Sequence, residues 1–171
     1  MTDIMNNFYE ISPEELGNAI KLIGKDWMLI TAPDGEGANA MTASWGGLGV
    51  LWNKPVCTCY IRPQRYTYEL TERAERISMA FMSEKYRDAL KFCGSHSGRE
   101  GNKLPRAGIS ACEIDGVPVI AEADTLLICR KLYAGDITED GFIDRALLSN
   151  YKNNDFHRFY VCEIEKVYKR R

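Results

Sequence analysis

The sequence lacks several features that would classify it at once. It contains no apolar run near the ~20 residues that a membrane-spanning helix needs. Its first residues, MTDIMNNFYEISPEEL, carry neither a basic stretch nor an apolar one of the kind a secretory signal uses. Six cysteines in 171 residues fall well short of the roughly 8–10% that marks a disulfide scaffold. The thiols are therefore read as reduced and the protein as cytoplasmic. Neither sign of charge dominates: 22 Lys and Arg stand against 24 Asp and Glu. A protein held on duplex DNA draws much of its affinity from a basic excess, so neither nucleic acid nor a membrane is expected as a partner. Repeats, low-complexity tracts and Pro/Ser-rich linkers are missing too, and one domain over residues 1–171 is expected.

Catalytic signatures are equally scarce. There are two histidines, His96 and His157, and no G-x-S-x-G elbow, which argues against a serine hydrolase. Gly46-Gly47-Leu48-Gly49 is not the G-x-G-x-x-G of a dinucleotide fold, and the loop 95–103 lacks the Lys-Ser/Thr pair of a P-loop.

What the sequence does have is strand and hairpin chemistry. Ser12-Pro13-Glu14-Glu15 reads as a capped helix start, with Leu16, Ala19, Ile20 and Ile23 on one face and Gly24 as a stop. Trp27 to Thr31 and Ala38 to Trp45 read as strands joined by the turn-rich Pro33-Asp34-Gly35-Glu36-Gly37. Further strands are expected over Pro55 to Ile61, Arg76 to Met82, Ile109 to Ile114, Val117 to Ile120, Thr125 to Leu132 and His157 to Tyr168, with a turn at Asp115-Gly116. Helices are expected over Gln64 to Ala74 and Glu84 to Cys93, with a short one near Ile143 to Leu148. Hairpin order rather than βαβ alternation makes the fold class mainly β: an antiparallel barrel with peripheral helices.

Three segments could carry chemistry. In NAMTASWGG (Asn39 to Gly47), alternation puts Ala38, Ala40, Thr42 and Ser44 on one face. That small face leaves room either for a flat ligand or for a closely packed neighbour. In YIRPQRYTYE (Tyr60 to Glu69), Arg62 and Arg65 bracket a helix start, where acidic residues are normally favoured. The wrong sign suits either a bound anion held by amides, the Thr67 hydroxyl and a guanidinium, or two solvated arginines. The loop from Ser95 to Lys103 combines hydroxyls, glycines and two cations, as a phosphate loop or a plain surface loop would. Cys57 with Cys59, and Cys93 with His96, are also conceivable zinc ligands, although neither pair has knuckle spacing. Buried thiols acting as small apolar residues explain them as well, and Cys112, Cys129 and Cys162 likewise.

These three motifs, in this order, resemble the flavin reductase-like, FMN-binding split-barrel family, and the flavoredoxin-type members most of all. The resemblance covers most of Trp27 to Val119. It implies a six-stranded antiparallel split β-barrel, non-covalent FMN and a homodimer with flavin near the interface. It further implies that Asn39, Met41, Thr42, Ala43, Ser44 and Trp45 line the isoalloxazine and ribityl chain. Arg62, Arg65, Tyr66 and Thr67 would hold the phosphate, and Lys103 with Ser97 and Arg99 would close over the polar end. Many members place Gly-Asp-His before the last strand; here the text is Asn154-Asp155-Phe156-His157, one residue longer, after an insertion-like stretch from Tyr133 to Asn153. His157 is carried over as a flavin-site residue. The resemblance thus implies an oxidoreductase without a catalytic side chain of its own, fed by NADH, NADPH or a redox protein. The alternative is an FMN- or zinc-binding module without turnover.

Overall fold

The computed structural model describes residues 4–35 and 37–171, so Glu36 of the expected turn lies outside the described residues. The strands are β1 (Phe8–Ile11), β2 (Met28–Asp34), β3 (Gly37–Ala43), β4 (Gly46–Leu51), β5 (Lys54–Ile61), β6 (Arg76–Phe81), β7 (Ala111–Ile114), β8 (Val117–Ile120), β9 (Thr125–Asp136) and β10 (Arg158–Arg170). The helices are α1 (Ala19–Lys21), α2 (Tyr66–Arg73) and α3 (Arg87–Ser95), with several 3-10 turns between elements. An eight-stranded antiparallel sheet runs β3-β2-β6-β9-β10-β5-β4 with β1 added on β10, and β7-β8 form a separate hairpin. The two ends of the strand path are not hydrogen-bonded to each other, so the sheet curls without closing.

β10 is the spine. One edge pairs with β9 over almost its whole length, while β5 and β1 share the other edge end to end. The sheet is covered on both faces. Met28, Ile30 and Ala32 of β2 point into one core with Met79, Leu127 and Cys129, and α2 adds Leu70 to it. Leu29, Ala80, Leu126 and Ile128 point the other way, against Leu90 and Cys93 of α3 and Val117 and Val119 of β8. A strand buried on both faces needs a continuous apolar run, which is why MLITA and LLIC carry no alternation.

Several expectations change. The six strands become eight in the main sheet because β1 and β4 join it. The N-terminal helix breaks up: the capping box on Ser12 forms, yet the turn it starts ends at Glu15, and a second start at Asn18 leads through α1 into a π turn over Leu22–Asp26. Ile20, expected on the buried face, is 83% exposed, and Gly24 lies inside the π turn instead of ending a helix. β9 continues four residues past Leu132, and the short helix near 143–148 is a 3-10 turn over Arg145–Asn150.

Candidate functional site

Two adjoining cavities lie where the end of β3, the end of β5 and the starts of α2 and β10 meet. The first, of about 200 Å³, is lined by Met41 through Trp45, Tyr60, Arg62, Arg65 and His157. The second, of about 150 Å³, is lined by Asn39, Gln64 through Thr67, Gly94 through Gly98, and Lys103. Arg65 belongs to both.

The first cavity has aromatic walls. Trp45, half exposed, stands 5.1 Å from the His157 ring, and Tyr60 meets that ring edge-on at 6.3 Å. β3 ends at Ala43, so five consecutive residues from both faces of the strand reach the cavity. The small face itself is used otherwise: Ala40 packs in the α3 core and the Thr42 hydroxyl donates to the Leu90 carbonyl at 2.5 Å. Close packing of a neighbour therefore accounts for much of that face. Arg62 points into this cavity rather than the second. Its guanidinium pairs with Asp155, donates to the Asn150 carbonyl at 2.9 Å and lies over the Tyr151 ring. That hydrogen bond from Arg62 holds the Asp155 carboxyl below the usual range. His157 is buried; burial, helped by Arg62, pushes its pKa down to about 4. It is a neutral imidazole at physiological pH.

The second cavity is rich in donors. α2 begins at Tyr66 with no side chain capping it, so its first-turn amides and the positive end of its dipole face the cavity. Thr67 is 1% exposed, and its hydroxyl oxygen accepts from Asn39 Nδ2 at 2.7 Å. That leaves its own hydrogen free to donate. Arg65 donates to the Gly94 and Cys93 carbonyls at 2.8 and 3.3 Å. Lys103 is 2% exposed and donates to the Cys93 and His96 carbonyls at 3.0 and 2.7 Å. Two of the three ammonium protons are thus used. Burial pushes its pKa down to about 8, and Arg65 adds to the shift. Both cations sit on the carbonyl end of α3, and among the described residues no carboxylate forms an ion pair with either. Two cations and an uncapped helix start around one small cavity are the chemistry that a dianion would need.

The remaining site candidates are placed as follows. Ser97 lines the second cavity, its hydroxyl accepting from the Arg99 amide at 3.2 Å. Tyr66 lines it too, with its hydroxyl donating to Asp34 at 2.8 Å. Arg99 lines neither: its guanidinium pairs with Glu69 and donates to the Gln64 carbonyl at 3.0 Å, which turns it outward. Tyr60 was not anticipated, although it shares strand parity with Arg62 and could have been found that way. Cys57 and Cys59 lie in the core with Cys129 and Cys162, whereas Cys93 lies in the other core, so the four proposed zinc ligands are not gathered. Among the described residues no cluster of three or more metal-ligating side chains is present. None of the described helices is long and apolar enough to cross a membrane.

The fold and the motifs agree on a class. The profile of the flavin reductase like domain matches residues 21–171, and the chain belongs to that family. Similar solved structures include an FMN-binding domain of a flavin reductases-like enzyme from Shewanella baltica (18% identity, 96% of this chain and 78% of that one, TM-score 0.69). A flavoredoxin from Methanosarcina acetivorans is also similar (20% identity, 84% and 68%, TM-score 0.68). So is an NADH:FAD oxidoreductase from Streptomyces globisporus, solved with NAD and FAD fragments (14% identity, 85% and 75%, TM-score 0.62). At these identities the likeness is one of fold: a mainly antiparallel split barrel with few helices. Comparison with curated proteins gives no match.

Proposed function

We propose that the chain, acting as one domain, is an FMN-dependent oxidoreductase that holds its flavin without a covalent bond. The observation that carries this is the pairing of the two cavities through Arg65: an aromatic slot beside a cationic, helix-capped pocket sized for one phosphate. Arg65, Thr67, Lys103 and the first amides of α2 would bind the phosphate. Met41 to Trp45, Tyr60 and His157 would line the ring. Arg62, committed to Asp155 and Tyr151, stiffens the wall near the ring instead of meeting the phosphate. A single terminal phosphate in the second cavity is what would make the flavin FMN. When bound, the flavin would supply the hydride and electron chemistry. The protein's part is to fix the ring, neutralise the phosphate and leave one face open. A nicotinamide is the proposed donor, with a redox protein as the second possibility.

The test is the visible spectrum of the purified protein with FMN, repeated anaerobically with NADH and then NADPH. Flavin bands that bleach with one of them support a reductase. Bands that bleach with dithionite alone favour a carrier fed by another protein. Failure to take up FMN overturns the reading.

We also propose that the protein works as a homodimer through β4. This strand is an end of the strand path, and its last residues Val50 and Leu51, with Trp52 following, are 78, 41 and 54% exposed. A bare apolar edge strand is an association surface. A groove along it is lined by Ile20, Ile23, Leu48, Ser44, Trp45 and Tyr60, so it continues into the first cavity through the last three. Val50→Lys is expected to shift the protein to a monomer in sedimentation velocity and to weaken FMN binding several-fold. A monomeric parent protein would remove the proposal.

A further inference from the structure

The segment joining β9 to β10 does more than connect them. Its residue Tyr151 is 7% exposed, and the phenol oxygen lies 2.9 Å from His157 Nδ1. The Tyr151 ring stacks on Phe156 at 4.8 Å, lies 5.2 Å from the Arg62 guanidinium and meets Phe142 edge-on at 5.7 Å. Ile137 N donates to the His157 carbonyl at 2.9 Å, so the two ends of the segment are tied together at the histidine.

The direction of the tyrosine–histidine hydrogen bond follows from counting donors. The phenol has no other acceptor among the described residues, so its hydrogen is satisfied only if it points at Nδ1. The opposite arrangement would leave a buried hydroxyl hydrogen without a partner, a costlier defect than a spare lone pair. Nδ1 is then the acceptor, and the imidazole proton resides on Nε2. Nε2 lies on the ring edge away from Tyr151, and His157 lines the first cavity. Its aromatic neighbours Trp45 and Tyr60 stand at 5.1 and 6.3 Å, and no protein acceptor for Nε2 is present among the described residues. The charged groups facing the histidine are Arg62 and Asp155, and these two are paired with each other.

We propose that Tyr151 is a positioning residue whose hydroxyl locks His157 as the neutral Nε2–H tautomer, turning the imidazole into a fixed hydrogen-bond donor aimed at the flavin ring. This rests on the reading of the first cavity as the ring slot. It assigns the insertion-like segment a role: it delivers the tyrosine. A neutral donor suits a ring carbonyl or nitrogen of a neutral flavin, and the burial that keeps the imidazole uncharged serves the same end.

The experiment uses the full chain and Tyr151→Phe, which retains the stack on Phe156 and removes only the hydroxyl. Imidazole nitrogen NMR of the flavin-free proteins reads the tautomer directly. The parent should show a pyrrole-type Nε2 and a pyridine-type Nδ1, and the variant a mixture of both tautomers. FMN titration by fluorescence quenching should then show three- to tenfold weaker binding by the variant. His157→Gln, which keeps an N–H donor of similar reach, should bind more tightly than His157→Ala. A parent protein with its proton on Nδ1, or a variant with unchanged tautomer or unchanged FMN affinity, overturns the proposal. Absence of FMN binding by the parent would instead overturn the flavin reading, while the tautomer measurement would still judge the lock.

Discussion

Lys103→Met is expected to bind FMN roughly ten- to a hundredfold more weakly than the parent protein at pH 7, because a hydrogen bond to a charged group is worth about 1.5–3 kcal/mol. Folding should survive. The thioether fills the same buried space, and Arg65 still donates to the Cys93 carbonyl that the ammonium would abandon. The pH dependence adds a sign that packing alone would not give. The ammonium, pushed down to about 8 in the flavin-free fold, loses its proton there above that pH. FMN affinity of the parent should therefore fall as pH rises beyond about 8, until the pKa of the bound state is passed. Stability of the flavin-free protein should move the opposite way. Between about 8 and 10.5 the unfolded chain binds more protons at this site than the folded one, so this group's contribution rises with pH. Lys103→Met should flatten both trends. Isothermal titration of FMN and denaturant melts over pH 7–10 measure the two, and an affinity indifferent to Lys103 would remove the phosphate assignment.

Gly98→Ala is expected to cost at least tenfold in FMN affinity although residue 98 lies in a surface turn. A Cβ at 98 would collide with the Asn39 amide and stand 2.7 Å from Tyr66 Cδ1. Either the loop lifts off or Asn39 yields. Yielding breaks its bond to Thr67, which orients a hydroxyl proposed to meet the phosphate. Such overpacking typically costs about 1–3 kcal/mol, and here it falls on the pocket wall. Gly17→Ala is the control: a Cβ there meets nothing within 4 Å, and both affinity and melting temperature should be unchanged. Equal behaviour of the two variants in an FMN titration would show that the loop does not shape the pocket.

These two sites also show what was legible in the sequence. Arg65 was marked by its wrong sign at a helix start, and in the fold its guanidinium reaches the carbonyl end of α3. Lys103 was marked by the company it keeps in a short polar loop. Arg99 shares that loop but lines neither cavity, because Glu69, one helical turn into α2, captures it; nothing in the linear text ranks Glu69 above the cavity as a partner. The hairpin at Asp115-Gly116 was readable because both residues adopt positive φ, 52° and 75°, which Asp and Gly tolerate. β4 was not: GGLGVL has little strand propensity, and its pairing is imposed by the ladder of β5. Gly46 is required there by contact, since a Cβ would stand 2.7 Å from the Thr58 carbonyl. β1 was missed for a similar reason. FYEI buries only Phe8 fully and is held by the last residues of β10, with Phe8 facing Arg170 and Ile11 facing Val167 at the far end of the chain. The two-sided burial of β2 and β9 erased the alternation that would have told their faces apart.

The shared guanidinium of Arg65 has a consequence of its own. The proposed phosphate end is assembled from Asn39, residues 64–67 and 94–98, and Lys103, and the ring end from residues 41–45, Tyr60, Arg62 and His157; Arg65 alone joins the two linings. Such a receptor behaves as two weak half-sites bridged by one tether. Riboflavin and inorganic phosphate, offered as separate molecules, should each bind feebly and add to one another. FMN, which links them covalently, gains from the effective concentration that the ribityl chain confers. The affinity of the whole then measures how well the spacing of two loop clusters matches the length of one sugar alcohol.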